Sequence, residues 1–370
     1  MRISVAERLG LAETQEIDLK ACIVTTTKTA ETNLGDKLIA DRCGEMVRHL
    51  TDNVTVREMY HGHKWEVAKD EMLSSDVVVI ACLAIRRQIF TKSYRFIEGL
   101  IASDIPICIV ASGVSLGAFS SNKPLQKLLG NEEVQLLRAL AKRSAFFSTR
   151  GLVTQSILDE MNVPCTFAGD VAFFEPRFTD RKFEPMERVR RVAISDPHYA
   201  PLYRDSFLHL VKRIKSLFPQ ARIDILVHGV NDEFMPIARE AGVDIFKLYD
   251  KYGLDHYDRY DLHVGYRVHG HVSALSRRKP SYLIEQDDRG TDYGTKFSRR
   301  ITVASHGNMQ LRNQILLGPV ETIVATIRQD AKDGFSRFAG LEVEVEACGQ
   351  RNFNGVKDAL VQAGVINEPA

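Results

Sequence analysis

Arg267 and His269 stand two residues apart in the stretch Asp261-Leu-His-Val-Gly-Tyr-Arg-Val-His-Gly-His-Val-Ser-Ala-Leu275. A guanidinium and an imidazole at that spacing can hold an anion and move a proton. The stretch opens with the alternation of a strand (Leu262, Val264, Tyr266) and continues with the spacing of a helix (Val272, Leu275) as far as Lys279-Pro280. The pair thus falls at the carboxyl end of a strand and the start of a helix. Ligands of open α/β sheets bind there, because helix N-termini offer unpaired N–H donors to anions. An Arg and a His that merely satisfy a turn would look the same locally, so the rest of the chain decides between the two.

The elements that would position such a pair recur along the chain. A strand at Ala21–Thr25 and a polar loop, Thr26 to Asn33, lead to Asn33-Leu-Gly-Asp36, followed by helical spacing to Leu50. Gly35 permits close backbone approach to a ligand. Read locally, Asn33 is also a helix cap and Asp36 a first-turn acid. Strands follow at 53–59 and in the apolar run 76–83, which suits a buried parallel strand, with a helix at 65–73 between them. His61-x-His63 reads as a solvated loop, no neighbouring acid or thiol completing a metal site. A helix near 93–102 precedes the strand Ile105 to Gly113, and Ser112, Gly113, Ser115 and Gly117 make a loop suited to backbone contact with a ligand. After a helix at 132–142, Arg150 tips from a strand at 144–147 into a helix at 152–161, and Gly169-Asp170 ends the strand 163–167. Four polar tips at strand ends are what a parallel sheet with one ligand-facing edge produces.

Residues 175–190, rich in charge and proline, read as a linker between an N-terminal α/β domain (1–178) and a C-terminal one (190–370). The second series has strands at 192–195, 223–227, 243–246, 261–266 and 281–285, with helices at 203–217 and 233–241. Gln286 to Gly294 reads as a polar loop. Residues 299–370 read as mostly helical, with helices at 320–332 and 354–363. The strict alternation of Leu341-Glu-Val-Glu-Val-Glu346 predicts an edge strand. The expected architecture is two Rossmann-like α/β domains facing a central cleft, with a C-terminal helical segment.

Composition narrows the function classes. The chain has 370 residues, 44% hydrophobic and 26% charged, which is ordinary for a protein with ample core. A net charge of +1 argues against a general nucleic-acid binder. The six cysteines contain no C-x-x-C pair and read as reduced core residues. Residues 1–19 are charged throughout and the longest apolar run, 77–85, is too short to span a bilayer, so a cytoplasmic protein without a transmembrane segment is expected.

Facing α/β domains are the layout of GT-B glycosyltransferases, and the order of motifs points more narrowly. Asn33-Leu-Gly-Asp36, then Phe147-Ser-Thr-Arg150 with Ala168-Gly-Asp-Val-Ala-Phe173, then Gly265-Tyr-Arg-Val-His-Gly270 with Lys279-Pro280, resemble the motifs of the polysaccharide pyruvyl transferase family over about residues 33 to 287. Three places depart from its pattern: Gly151, where an acid often follows the arginine; Val268, in place of leucine; and the loop after Glu285, in place of aspartate-then-lysine. The resemblance implies transfer of a pyruvyl group from phosphoenolpyruvate onto two hydroxyls of one sugar, forming a cyclic ketal. It implies a sugar or glycan acceptor (free, nucleotide-linked or lipid-linked), no cofactor, and no metal, because arginines can carry the phosphate charge. That chemistry gives His269 the role of acid at the enol methylene and Asp36 or Asp170 that of base at a sugar hydroxyl. Arg267 and Arg150 would hold the donor's anionic groups, with Asn33, Gly35, Ser112 and Gly113 lining the site. His271 reads as a support of the helix start. Two rivals are a GT-B glycosyltransferase using a nucleotide sugar and a family member that no longer catalyses. Many retaining glycosyltransferases carry two glutamates eight positions apart, and here Glu285 is followed at that spacing by Tyr293.

Overall fold

The computed structural model describes residues 18–26, 33–116, 128–305, 310–311 and 314–367. In the first half strands and helices alternate: β1 (Leu19–Thr25), α1 (Leu34–Arg48), β2 (Val54–Tyr60), α2 (Trp65–Leu73), β3 (Val77–Ala81), the two-residue β4 (Ala84–Ile85), α3 (Ile97–Ile101), β5 (Ile107–Val114), α4 (Asn131–Arg143), β6 (Phe146–Thr149), α5 (Leu152–Glu160) and β7 (Thr166–Phe167). They form one parallel sheet in the order β2-β1-β3-β5-β6-β7, with β4 beside β5. Helices cover both faces, so β3 and β5 are buried throughout and read in sequence as unbroken apolar runs.

The second half repeats the plan with β8 (Arg191–Ser195), α6 (Ala200–Leu217), β9 (Arg222–Val227), α7 (Phe234–Glu240), β10 (Asp244–Lys247), β11 (Leu262–Gly265), α8 (Val268–Ser276), β12 (Ser281–Glu285), α9 (Asp288–Lys296) and β13 (Thr302–Ala304). Its parallel order, β10-β9-β8-β11-β12-β13, is that of a Rossmann domain. A small antiparallel pair, β14 (Gln310–Leu311) and β15 (Gln314–Ile315), precedes α10 (Gly318–Lys332) and α11 (Leu341–Gln362). Both sheets have a point where successive connections leave in opposite directions, between β1 and β3 in one and between β8 and β11 in the other. Crevices open at such points at the carboxyl ends of the strands.

α11 does not stay with the half it follows in sequence. It packs against β5, β6 and the turn Val171–Phe173 of the first half. Asn352, fully buried, pins it there: its amide donates to the Gly169 carbonyl at 3.0 Å, and its oxygen accepts from Ser148 Oγ at 2.8 Å. A single apolar cluster, including Ile39, Phe173, Phe174, Leu275 and Val356, runs through this junction.

The structure corrects several expected elements. Residues 341–346 are the first turns of α11, not a strand. Leu341 and Val345 lie four apart and are buried, but Val343 between them is 67% exposed, as helical and not strand geometry requires. Residues 288–296 are helix α9 rather than a loop. The buried residues of α9 are Asp288, Gly290, Asp292, Tyr293 and Lys296, mostly charged, so a search for apolar periodicity passes over it. Ser112 and Gly113 belong to β5, although Ser115 does follow it as loop; Gly117 lies outside the described residues, as do residues 1–17 and most of the 26–33 loop. The helix expected at 93–102 is a five-residue π-turn, Ile89–Ser93, and the short α3. β13 to β15 interrupt the region expected to be helical. His61 is buried, not solvated, edge-on to the rings of Tyr60 at 4.7 Å and Tyr94 at 4.9 Å.

Candidate active site

The two crevices face each other across one cleft of about 1090 Å³, solvent at its mouth included. From the first half it is lined by Thr26, Asn33, Asp36, Cys82, Ala84, Arg86, Gly113, Ser115 and Arg150. The second half contributes His198, His228, Tyr266, Arg267, Val268, His269, Gln286, Asp287 and Arg289. The halves are joined at its edge: the first N–H of α1, from Leu34, donates to the His228 carbonyl at 3.1 Å.

Arg267 takes the N-cap position of α8, where the chain turns out of β11. Its Nε donates to Asp196 Oδ1 at 3.0 Å and its Nη2 to Oδ2, a bidentate pair that fixes the plane of the guanidinium. The remaining nitrogen lies 3.4 Å from His198 Nδ1. Ser195 Oγ accepts from the backbone N–H of Tyr266 at 3.0 Å and of Arg267 at 3.1 Å, so β8 holds both the side chain and the backbone of this turn.

His269 follows two residues on, in the first turn of α8, against the start of α1. A methyl at Gly35 would lie 2.0 Å from its Nδ1, so this close packing requires a residue without Cβ. Its Nε2 is enclosed and has no hydrogen-bond partner. Burial holds the imidazolium below its usual range; the carboxylates of Asp170 and Asp36 oppose that, and Arg150 and Arg289 add to it. His271 Nδ1 lies 2.7 Å from Ser281 Oγ at the start of β12.

Arg150, at the end of β6, is buried, its guanidinium against Gly113. Its Nε lies 3.5 Å from Asp292 Oδ2 and its Nη1 3.6 Å from Cys82 Sγ. Asp292 comes from α9 of the second half. Its Oδ1 also accepts from the Thr154 N–H at 2.9 Å and its Oδ2 from Thr154 Oγ1 at 2.6 Å, which caps α5 from outside the helix. Gly151, the N-cap residue of α5, has no side chain to do this, and a Cβ there would stand 2.3 Å from Asp292 Oδ1. Asp292 thus occupies the space of the acid absent at 151.

Of the other expected residues, Asn33 both lines the cleft and caps α1, its Oδ1 accepting from the Gly35 N–H at 3.0 Å. Asp36 faces the cleft from the first turn of α1. Ser112 does not reach it: fully buried, it donates to the Ser148 carbonyl at 2.8 Å. Nor does Asp170. That carboxylate is 0% exposed, accepting from the Ala172 N–H at 2.8 Å and from the Tyr293 hydroxyl.

Residues not anticipated complete or support the lining. Arg86 follows β4 and donates to Ser93 Oγ at 2.9 Å. Arg289, in the first turn of α9, is paired with Asp287, Nη2 to Oδ2 at 2.6 Å. Asp196 and His198 follow β8, and Gln286 follows β12, its Oε1 accepting from the His198 N–H at 2.9 Å. The polar residue just past each strand was the available signal, the same one that singled out Arg150. Four guanidiniums, from the carboxyl ends of β4, β6, β11 and β12, thus line one cleft with His269 and the carboxylates of Asp36 and Asp287. Such a site can bind an anion with two charged groups and pass a proton to or from it. Among the described residues no group of three or more His, Cys, Asp or Glu is placed to hold a metal ion. No described helix is long and apolar enough to cross a membrane, and all six cysteines are free.

Solved structures share this architecture. The Neisseria meningitidis UDP-GlcNAc 2-epimerase bound to UDP-GlcNAc matches at 11% identity, over 92% of this chain and 100% of its own, with a TM-score of 0.54. The S. aureus MnaA–UDP structure matches at 10% identity, over 95% of this chain and 99% of its own, with a TM-score of 0.56. At these identities the likeness is one of fold, the GT-B-like pairing of Rossmann domains. No curated protein matches the chain. The family model for polysaccharide pyruvyl transferase, however, matches residues 33–288, from the cap of α1 to the first residue of α9. That span carries nearly every cleft residue, and the chain belongs to the polysaccharide pyruvyl transferase family.

Proposed function

We propose that this chain transfers the pyruvyl group of phosphoenolpyruvate to two hydroxyls of one sugar unit, as a cyclic ketal. Two C–O bonds form at the enol carbon, its bond to the phosphate oxygen breaks, and the methylene gains a proton to become a methyl group. Of the two hydroxyl protons released, one balances that gain and the other leaves with phosphate or solvent. The observation that carries the reading is that Arg86, Arg150, Arg267 and Arg289 line one cleft with His269. The donor's carboxylate and phosphate need fixed cations a few ångströms apart, and guanidiniums supply them with bidentate geometry. His269 gives the proton to the methylene, and Asp36, on the first-half wall, takes one from an acceptor hydroxyl. Asp170 acts through His269 and does not touch the acceptor. The acceptor is a sugar or glycan, free, nucleotide-linked or lipid-linked. The reaction needs no resident cofactor, since the donor carries its own leaving group, and free cysteines suit a cytoplasmic setting.

Calorimetric titration with phosphoenolpyruvate tests this. Wild type should bind, and Arg267→Ala should bind roughly 10- to 100-fold more weakly, the worth of charge-assisted hydrogen bonds. Equal affinity in the two proteins, or no binding to wild type, refutes the reading. A nucleotide-sugar glycosyltransferase is the alternative that the fold alone accommodates. Glu285 gives it no support: its carboxylate is buried on Thr291 and Thr302, outside the cleft lining. Thermal stabilisation by UDP in place of phosphoenolpyruvate would favour it nonetheless.

A further inference from the structure

His228 is the first residue past β9, and it lines the cleft although it is only 1% exposed. Its backbone is tied on both sides. The N–H donates to Asp196 Oδ1 at 3.1 Å, the oxygen that also accepts from Arg267 Nε, and the carbonyl accepts from the Leu34 N–H at 3.1 Å. On the ring, Nε2 lies 2.7 Å from the hydroxyl of Tyr257, itself buried. The pair is packed against the first turn of α8: a Cβ at Gly270 would stand 2.5 Å from the Tyr257 oxygen and 3.1 Å from His228 Nε2. The Tyr257 hydroxyl has no other partner among the described residues, so its hydrogen goes to Nε2, the acceptor within reach. Burial, with Arg267 adding to it, holds the His228 imidazolium well below its usual range, and burial keeps the Tyr257 phenol protonated. The ring is therefore neutral at pH 7. With Nε2 accepting, its hydrogen sits on Nδ1, which has no partner among the described residues.

We propose that His228 is a specificity-determining residue of the acceptor site: its Nδ1–H, set by Tyr257, donates to a hydroxyl oxygen of the sugar. Around it the cleft presents fixed charges, the guanidiniums of Arg86, Arg150, Arg267 and Arg289 and the carboxylates of Asp36 and Asp287. The guanidiniums suit the donor's carboxylate and phosphate. A neutral N–H donor with no acceptor in the protein suits an uncharged oxygen. A ligand that covers it without offering one leaves the N–H unpaired and binds more weakly, which is how such a group selects. The bond from Leu34 sets His228 beside the start of α1, two residues before Asp36, the group that takes a hydroxyl proton in the proposed reaction. One corner of the cleft thus offers a base for one hydroxyl and a hydrogen-bond donor for another, which matches an acceptor that presents two. The placing of an acceptor here rests on the pyruvyl-transfer reading; the hydrogen on Nδ1 does not.

Two measurements test the proposal. The first is nitrogen NMR of isotope-labelled histidine rings in the ligand-free protein, with His228→Asn to identify the resonances. Wild type should carry the hydrogen on Nδ1. Tyr257→Phe removes only the hydroxyl and should release that preference. A hydrogen on Nε2 in wild type, or an Nδ1 form that Tyr257→Phe leaves unchanged, overturns the role of the pair. The second is a saturation-transfer NMR titration with the methyl pyranosides of glucose, galactose and mannose, beside calorimetry with phosphoenolpyruvate. Wild type should bind at least one glycoside, and His228→Leu should bind it roughly 3- to 10-fold more weakly, the worth of one hydrogen bond. His228→Asn, whose amide can donate from near the place of Nδ1, should recover most of that difference. Equal glycoside affinity in wild type and His228→Leu, or no glycoside bound by wild type, overturns the proposal. So does a weakening in His228→Leu that falls on phosphoenolpyruvate instead, because it would put the N–H on the donor. A wild type that binds a glycoside but no phosphoenolpyruvate overturns the donor reading, and the glycoside titration still judges His228.

Discussion

At the scale of single residues, the packing of His269 against Gly35 joins the two most informative motifs of the chain. The position is helical, so alanine there would ordinarily help α1 by a fraction of a kcal/mol to about 1 kcal/mol. Yet the added methyl would fall 2.0 Å from His269 Nδ1 and must drive the imidazole out of place. Gly35→Ala should therefore lower stability by roughly 1–3 kcal/mol, as overpacking does, and lose on the order of 10²-fold in transfer rate, the usual effect of displacing a reacting group by an ångström. Unchanged turnover in that variant would mean that His269 is not positioned by this contact. The same scale explains why Asn33 satisfies both readings of it: its carbonyl oxygen serves as the cap while the residue lines the cleft.

Helix α9 links the halves at the scale of elements. Three residues of its buried face bond the first half: Asp288 accepts from the Leu116 N–H at 3.1 Å, Asp292 caps α5, and Tyr293 bonds Asp170. The cap and the space at Gly151 are complementary, and this can be read by a double-variant cycle in denaturant. Asp292→Ala leaves Arg150 buried without its carboxylate and should cost about 3–5 kcal/mol. Gly151→Asp alone should also destabilise, because its Cβ would stand 2.3 Å from Asp292 Oδ1. Combined with Asp292→Ala, the same substitution should recover about 1 kcal/mol or more by restoring a local cap and a partner for Arg150. Simple additivity of the two losses would refute the idea that one carboxylate substitutes for the other.

For the whole molecule, two switch points facing one cleft account for a site built from both sheets, with α11 crossing back to the first half. The same compactness buries many imidazoles. Burial pushes His61 down to about 4, with Arg86 adding to it, and His263 down to about 3, and it holds His228 and His271 well below their usual range. In the unfolded chain these groups take up protons near pH 6.5. Between that value and their folded ones the unfolded state binds more protons, so stability falls as pH drops, by up to about 1.4 kcal/mol per pH unit for each imidazole. Urea midpoints should thus decline steeply from pH 7 to pH 5 at constant m-value. Midpoints flat over this range would show that these histidines are solvated or already charged in the folded protein.

The sequence by itself determined the alternation of strands and helices, the fold class, and the placing of Asn33, Asp36, Arg150, Arg267 and His269 at strand ends. Those features rest on local periodicity and on residues that start or stop helices, and local rules do not need the partner sheet. Only the tertiary structure decided which strand ends meet. Arg86 and Arg289 enter the cleft because β4 and β12 end beside it, whereas Ser112, in an equally suggestive stretch, lies within β5 and bonds its neighbour. Asp170 closes a strand as expected but turns inward, where Tyr293 and Ala172 satisfy it. α9 stayed hidden because its buried face is charged, and α11 because one exposed valine, Val343, distinguishes its helix from a strand. Gly151 departs from the family pattern, and Asp292, distant in the chain, fills the space beside it. Pairings of this kind depend on distance in space, and a single sequence orders residues only along the chain.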